Sequence, residues 1–226
     1  MRSLLRSAAL AAAFAASLAG PAPAASKSKP EHIVIGLDLS TSNPLVENDA
    51  YAAKVAERLM PMLRNLEPRS QVTLRTFGVY DPTRQQLRID RTISSLHPAE
   101  EVAAVIQGVV KGIPTLVKRG TLQAQPATNI VAFLENTAEL VDCRHNATNI
   151  VLVSDGIEDS SIARLTKLNA VLPPPESKLF KNCKGLEILG IGVGANSPQL
   201  TNHLREQWDA WAKAAGFKDF SGLNDW

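Results

Sequence analysis

The chain has 226 residues, with 24 Lys plus Arg against 22 Asp plus Glu, and no basic run exceeds two residues. That length suits one domain with a single sizeable core. The balanced charge excludes a polyanion binder such as a nucleic-acid protein. Four histidines, His32, His97, His145 and His203, are scattered, and two cysteines are 40 positions apart, which argues against a zinc site.

The first segment reads as a leader. Arg2 and Arg6 make a basic start, Ala8 to Leu18 is apolar, and Ala22-Pro23-Ala24 places small residues as a signal peptidase requires. The apolar run is roughly a dozen residues, against about 20 for a membrane span, so cleavage near Ala24-Ala25 is expected rather than an uncleaved anchor. Residues 25–31 form a flexible lead-in, and 32–226 a single domain. Removing residues 1–24 leaves 22 basic residues against 22 acidic ones. A secreted or periplasmic protein without a transmembrane segment in its mature chain is expected.

Strands and helices then alternate. Residues 32–38 are a short apolar strand. Residues 49–66 carry Ala52, Val55, Leu59, Met62, Leu63 and Leu66 at helical spacing, with Pro61 expected to kink or split the helix. Residues 71–79 and 86–94 alternate as strands do and flank a turn at 81–84, which predicts a hairpin with the second strand at an edge. Pro98 and Glu100-Glu101 open a helix to about Leu116, whose second half is weakened by Gly108, Gly112 and Pro114. A loop at 121–128 precedes a helix over 129–142. A buried strand follows at 149–154, ending on Asp155-Gly156. Glu158 and Asp159 read as a solvated helix start beside it. After the surface connection "PPPESK" comes a buried strand at 186–193, its glycines allowing close packing. Ser197 starts a last helix to about Ala215, with Leu200, Leu204, Trp208 and Trp211 on one face. The tail is short and aromatic.

Buried strands without polar alternation indicate a doubly wound α/β fold, Rossmann-like, with a mostly parallel central sheet and helices on both faces. In such sheets ligands bind outside the carboxyl ends of the strands. Cys143 and Cys183 each lie a few residues before a predicted strand. If those strands are parallel neighbours, both cysteines sit at one sheet edge, and a disulfide is expected in an exported protein, with two buried free thiols as the alternative.

Two strands end in an aspartate, Asp38 and Asp155, which should emerge at the same edge. Adjacent carboxylates repel and lose hydration, and a bound cation relieves both costs. The other nearby groups, Ser40, Ser42 and Thr128, are hydroxyls. This is a hard-oxygen donor set, suited to magnesium, manganese or calcium. The plainer alternative is that the hydroxyls cap helices.

"DLSTS" at 38–42, "PATNI" with Thr128 and "LVSDG" with Asp155 together resemble the von Willebrand factor type A domain and its metal-ion-dependent adhesion site. The resemblance covers nearly all of the expected mature chain. It implies that Ser40 and Ser42 bind the metal directly, Thr128 in some liganded states, and Asp38 and Asp155 directly or through water. It also implies that an acidic side chain of a partner protein fills the open coordination position. Where the family often has glycines before the threonine, this chain has Gln125-Pro126-Ala127, and Pro44 follows the last serine more closely than is usual. The function so implied is partner binding without catalysis; for an exported protein, an envelope, secretion or conjugation assembly is the expected setting. The competing reading is a metal-free scaffold that uses helical faces or the aromatic tail. A metal-dependent hydrolase is a further alternative, against which stand the missing second acid at position 40 and the absence of a nucleophile-elbow sequence.

Overall fold

The computed structural model describes residues 29–79, 86–195 and 197–226. The leader over 1–24, most of the lead-in and the turn at 81–84 lie outside the described residues. Six strands form one sheet: β1 (Glu31–Asp38), β2 (Gln71–Phe77), β3 (Arg88–Thr92), β4 (Ala147–Val153), β5 (Gly185–Leu189) and β6 (Asp219–Leu223). Their spatial order is β3-β2-β1-β4-β5-β6. Only β2–β3 is antiparallel. The chain leaves β1 toward one side, then returns to build β4, β5 and β6 on the other. The β1/β4 boundary is therefore the topological switch point of the sheet, the place where ligands bind in open α/β folds.

Four helices cover the two faces: α1 (Asp49–Arg64), α2 (Ala99–Lys118), α3 (Ile130–Ala138) and α4 (Pro198–Ala215). Ile33, Ile35 and Leu37 of β1 pack with Val55, Leu59, Leu63, Ile106 and Val110 of α1 and α2. Val34 points the other way and joins Ile150, Leu152, Phe133, Leu134, Leu204 and Trp208 in a second core under α3 and α4. Burial on both faces is why these strands lack polar alternation. Gly36 lets α3 sit low: a Cβ there would be 2.7 Å from both the Phe133 ring and Leu152. The Phe133 ring in turn stacks on Phe77 at 4.4 Å.

The structure differs from the sequence expectations at several ends. Pro61 does not split α1, which runs from its Asn48 cap to Arg64; Leu59, Met60 and Leu63 stay buried around it. Likewise α2 runs unbroken to Lys118, because Ile106, Val110 and Ile113 bury its inner face, while Gly108 and Gly112 stand in open space. Helix α3 stops at Ala138, short of 142, and leaves Leu140 exposed. Strand β5 stops at Leu189, short of 193. Gly190, Gly192 and Gly194 all take positive φ (103°, 74° and 81°), so this run turns instead of extending. The tail, read as short and aromatic, contains β6, which pairs with β5 from Gly185↔Asp219 to Leu189↔Leu223.

Cys143 and Cys183 form a disulfide, with Cα atoms 4.7 Å apart. They precede β4 and β5, which are parallel neighbours. Among the described residues no helix is long and apolar enough to cross a membrane.

Candidate metal centre

The register Leu37↔Val153 brings the ends of β1 and β4 side by side, so that Asp38 and Asp155 leave the sheet together. Both carboxylates are buried. Asp38 Oδ1 accepts from the Ser40 amide at 2.8 Å, which folds the "DLS" segment back over the strand end. Asp38 Oδ2 accepts from the Ser154 hydroxyl at 2.7 Å. The Ser40 and Ser42 hydroxyls lie 3.2 Å apart. Alternate residues on this segment thus point the same way, with Ser40 buried and Ser42 exposed.

The loop at 121–128 is zipped onto the segment. Thr41 N donates to Gln125 O at 2.9 Å, and Gln125 N to Leu39 O at 2.8 Å. Thr128 is buried and exchanges backbone hydrogen bonds with Asp159, of 3.3 and 2.9 Å. Its side chain makes no hydrogen bond to the other four residues among those described. Gln125-Pro126-Ala127 therefore holds the loop through the backbone bonds of Gln125.

Asp155 Oδ1 accepts from Ile157 N at 2.9 Å, whereas Oδ2 is buried without any hydrogen-bond partner. Gly156 takes φ 76° and its carbonyl accepts from Trp208 Nε1 at 2.7 Å, so α4 pins the turn that presents Asp155. Burial, and then the negative charge of Asp155, push the Asp38 carboxyl up from 3.8 to about 7, against the opposing bonds from Ser40 and Ser154. Burial likewise pushes Asp155 up, opposed by the Ser42 hydroxyl beside it and the Ile157 amide. Two buried acids, one with an oxygen that meets no donor, stand beside two hydroxyls, an arrangement that a proton or a cation would stabilise.

The tertiary roles of three supporting residues were not legible from sequence. Asn43 is buried; its Nδ2 donates to the carbonyls of Asp38 (2.8 Å) and Val153 (3.0 Å), clamping the two strand ends. Its Oδ1 caps the short 3-10 helix Pro44–Val46 through Leu45 N. Pro44 stands at the first position of that helix, where no N–H is needed. An Asn before Pro is a legible cap, but its cross-strand clamp has no local signature. Asn43→Ala should cost about 2 kcal/mol, since it strips two buried carbonyls of their donor; urea unfolding of the variant measures it.

Ser154, the second such residue, orients Asp38. Glu158, the third, corrects an expectation. It is not solvated but fully buried, and its Oε2 accepts from Ile130 N (2.8 Å) and Val131 N (3.1 Å). A carboxylate from the β4 loop thereby caps α3, next to Thr128, where the helix dipole favours negative charge.

No family model matches the chain, and no curated protein matches it. Solved structures with similar folds include proximal thread matrix protein 1 from the mussel byssus, with 13% identity and a TM-score of 0.46. Others are the ArnB paralog VWA2 of Sulfolobus acidocaldarius (17%, 0.43) and the manganese-loaded TRAP protein of Plasmodium vivax (16%, 0.47). The alignments cover 87%, 88% and 87% of this chain, but 44%, 42% and 69% of those chains. Likeness at this level assigns no residue a role. The α/β class stands on the strand order and the two helical layers.

Proposed function

We propose that this protein is a von Willebrand factor A-type domain that binds a partner protein through a divalent cation, magnesium or manganese before calcium. The observation that carries the reading is Asp155 Oδ2. It is a buried carboxylate oxygen with no hydrogen-bond donor, beside a second buried carboxylate and two clustered hydroxyls. Asp38, Ser40, Ser42, Thr128 and Asp155 would hold the ion, and their oxygen-only chemistry fits these metals. Bound there, the cation would supply a positive centre for an acidic side chain of the partner. The chain's own part is to fix the donors: Asn43 and Ser154 hold the strand ends, Trp208 the Asp155 turn, and Gln125 and Glu158 the Thr128 loop. This is recognition and involves no bond-breaking. The leader and the disulfide support an exported protein, and an envelope, secretion or conjugation assembly is the setting proposed for it.

Calorimetric titration of the mature protein with magnesium and manganese, beside Asp38→Ala, tests the reading. Saturable binding that disappears in the variant is expected, with chelator-sensitive capture of a partner from envelope extracts. A wild-type protein that binds neither ion would sink it.

A further inference from the structure

Tyr51 lies in the first turn of α1, its amide held by the Asn48 cap at 2.9 Å. Its ring meets Trp226 edge-on at 6.0 Å. The hydroxyl runs inward and rests against Gly190, where a Cβ would collide with it. The same Cβ position lies 3.1 Å from the carbonyl of Ser154, the residue before Asp155. The bare α-carbon of Gly190, at φ 103°, thus makes room for a phenol at the foot of the Asp155 turn.

That phenol is buried and has no hydrogen-bond partner, and neither has Asp155 Oδ2. One is a donor and the other an acceptor. Burial first, then the negative charges of Asp155 and Asp38, push the Tyr51 hydroxyl well up, so it remains a donor. They do not bond directly. A single water between them would satisfy both, with the Ser154 carbonyl as a third partner, the number a buried water ordinarily has.

We propose that Tyr51 is a further positioning residue of the site, its hydroxyl donating through one ordered water to one lone pair of Asp155 Oδ2, leaving the other for the cation, and so fixing the direction of that carboxylate. The role in cation binding rests on the reading above; the link itself does not.

Tyr51→Phe, Asp155→Ala and the double variant, in the full mature chain, test both parts. Urea midpoints are measured in chelator and manganese affinities by calorimetry. Tyr51→Phe should lower the midpoint in the wild-type background and leave it unchanged in the Asp155→Ala background. It should also weaken manganese binding about tenfold, the lower end of what losing a partner behind a metal ligand costs. An equal midpoint loss in both backgrounds overturns the link, whatever the cation does. If the midpoints couple but wild type binds no manganese, the link stands and the cation reading falls.

Discussion

Asp155→Asn is expected to abolish cation binding and, in the same protein, to raise stability when no cation is present. The substitution keeps the shape and the acceptor for Ile157 N while removing one of two buried like charges. Each of these acids has its pKa raised by burial, and for Asp38 the charge of Asp155 adds to it. Relief of that repulsion should be worth on the order of 1 kcal/mol in chelator, after the cost of a new buried amide. With manganese the order reverses. Wild type gains about 2.7 kcal/mol at a hundred times its dissociation constant, whereas the variant gains nothing. Thermal or urea unfolding of both proteins, with and without manganese, should therefore give crossing stabilities. Parallel responses to manganese would refute the site.

The same acids set a pH dependence. A carboxyl at 3.8 when unfolded and about 7 when folded binds more protons in the folded state between those values. The contribution of this carboxyl to the stability of the cation-free protein should therefore be greatest at low pH and fall as pH rises from about 4 to about 7, then level off. A saturating cation should flatten that fall, because it binds the deprotonated ligands and its affinity grows with pH. Asp155→Asn should reduce the slope in chelator.

What the sequence disclosed follows the range of the interactions. β1 and β4 were legible because burial on both faces demands unbroken apolar runs, and Asp38 and Asp155 at their carboxyl ends mark the edge that carries the candidate site. The α4 boundaries were legible because Ser197 caps locally, its hydroxyl accepting from Leu200 N at 3.2 Å. By contrast, β6 was hidden: its residues are only partly buried, and its identity as a strand comes from pairing with β5. The glycines after β5 were read as packing aids, yet their positive φ values end the strand and seat Tyr51. Asn43 meets Val153 across 110 positions and Glu158 meets Ile130 across 28, distances at which no local pattern exists. The candidate donors were thus visible as a motif, whereas the groups that hold their segments were not.

Loss of the disulfide should cost about 4 kcal/mol, the chain-entropy value for a closed loop of this size. Cys143 and Cys183 are 40 positions apart and close a loop that holds β4 and the whole irregular connection from 154 to 184. That connection has no regular element of its own. Besides Glu158, it is anchored by Leu165, Leu172 and Phe180 in the α4-side core, so much of its ordering cost falls on the crosslink. With a urea slope of about 2 kcal/mol per molar, the Cys143→Ala/Cys183→Ala double variant should unfold at a midpoint about 2 M lower than wild type. Both cysteines stand before the starts of β4 and β5, at the end of the sheet opposite Asp38 and Asp155. Manganese affinity of the folded double variant should therefore stay within about twofold of wild type, since distant sites act independently. Coincident urea midpoints would show that the loop is held by its apolar anchors alone. A collapse of manganese affinity in protein that is still folded would show that the crosslink reaches the cation edge through β4.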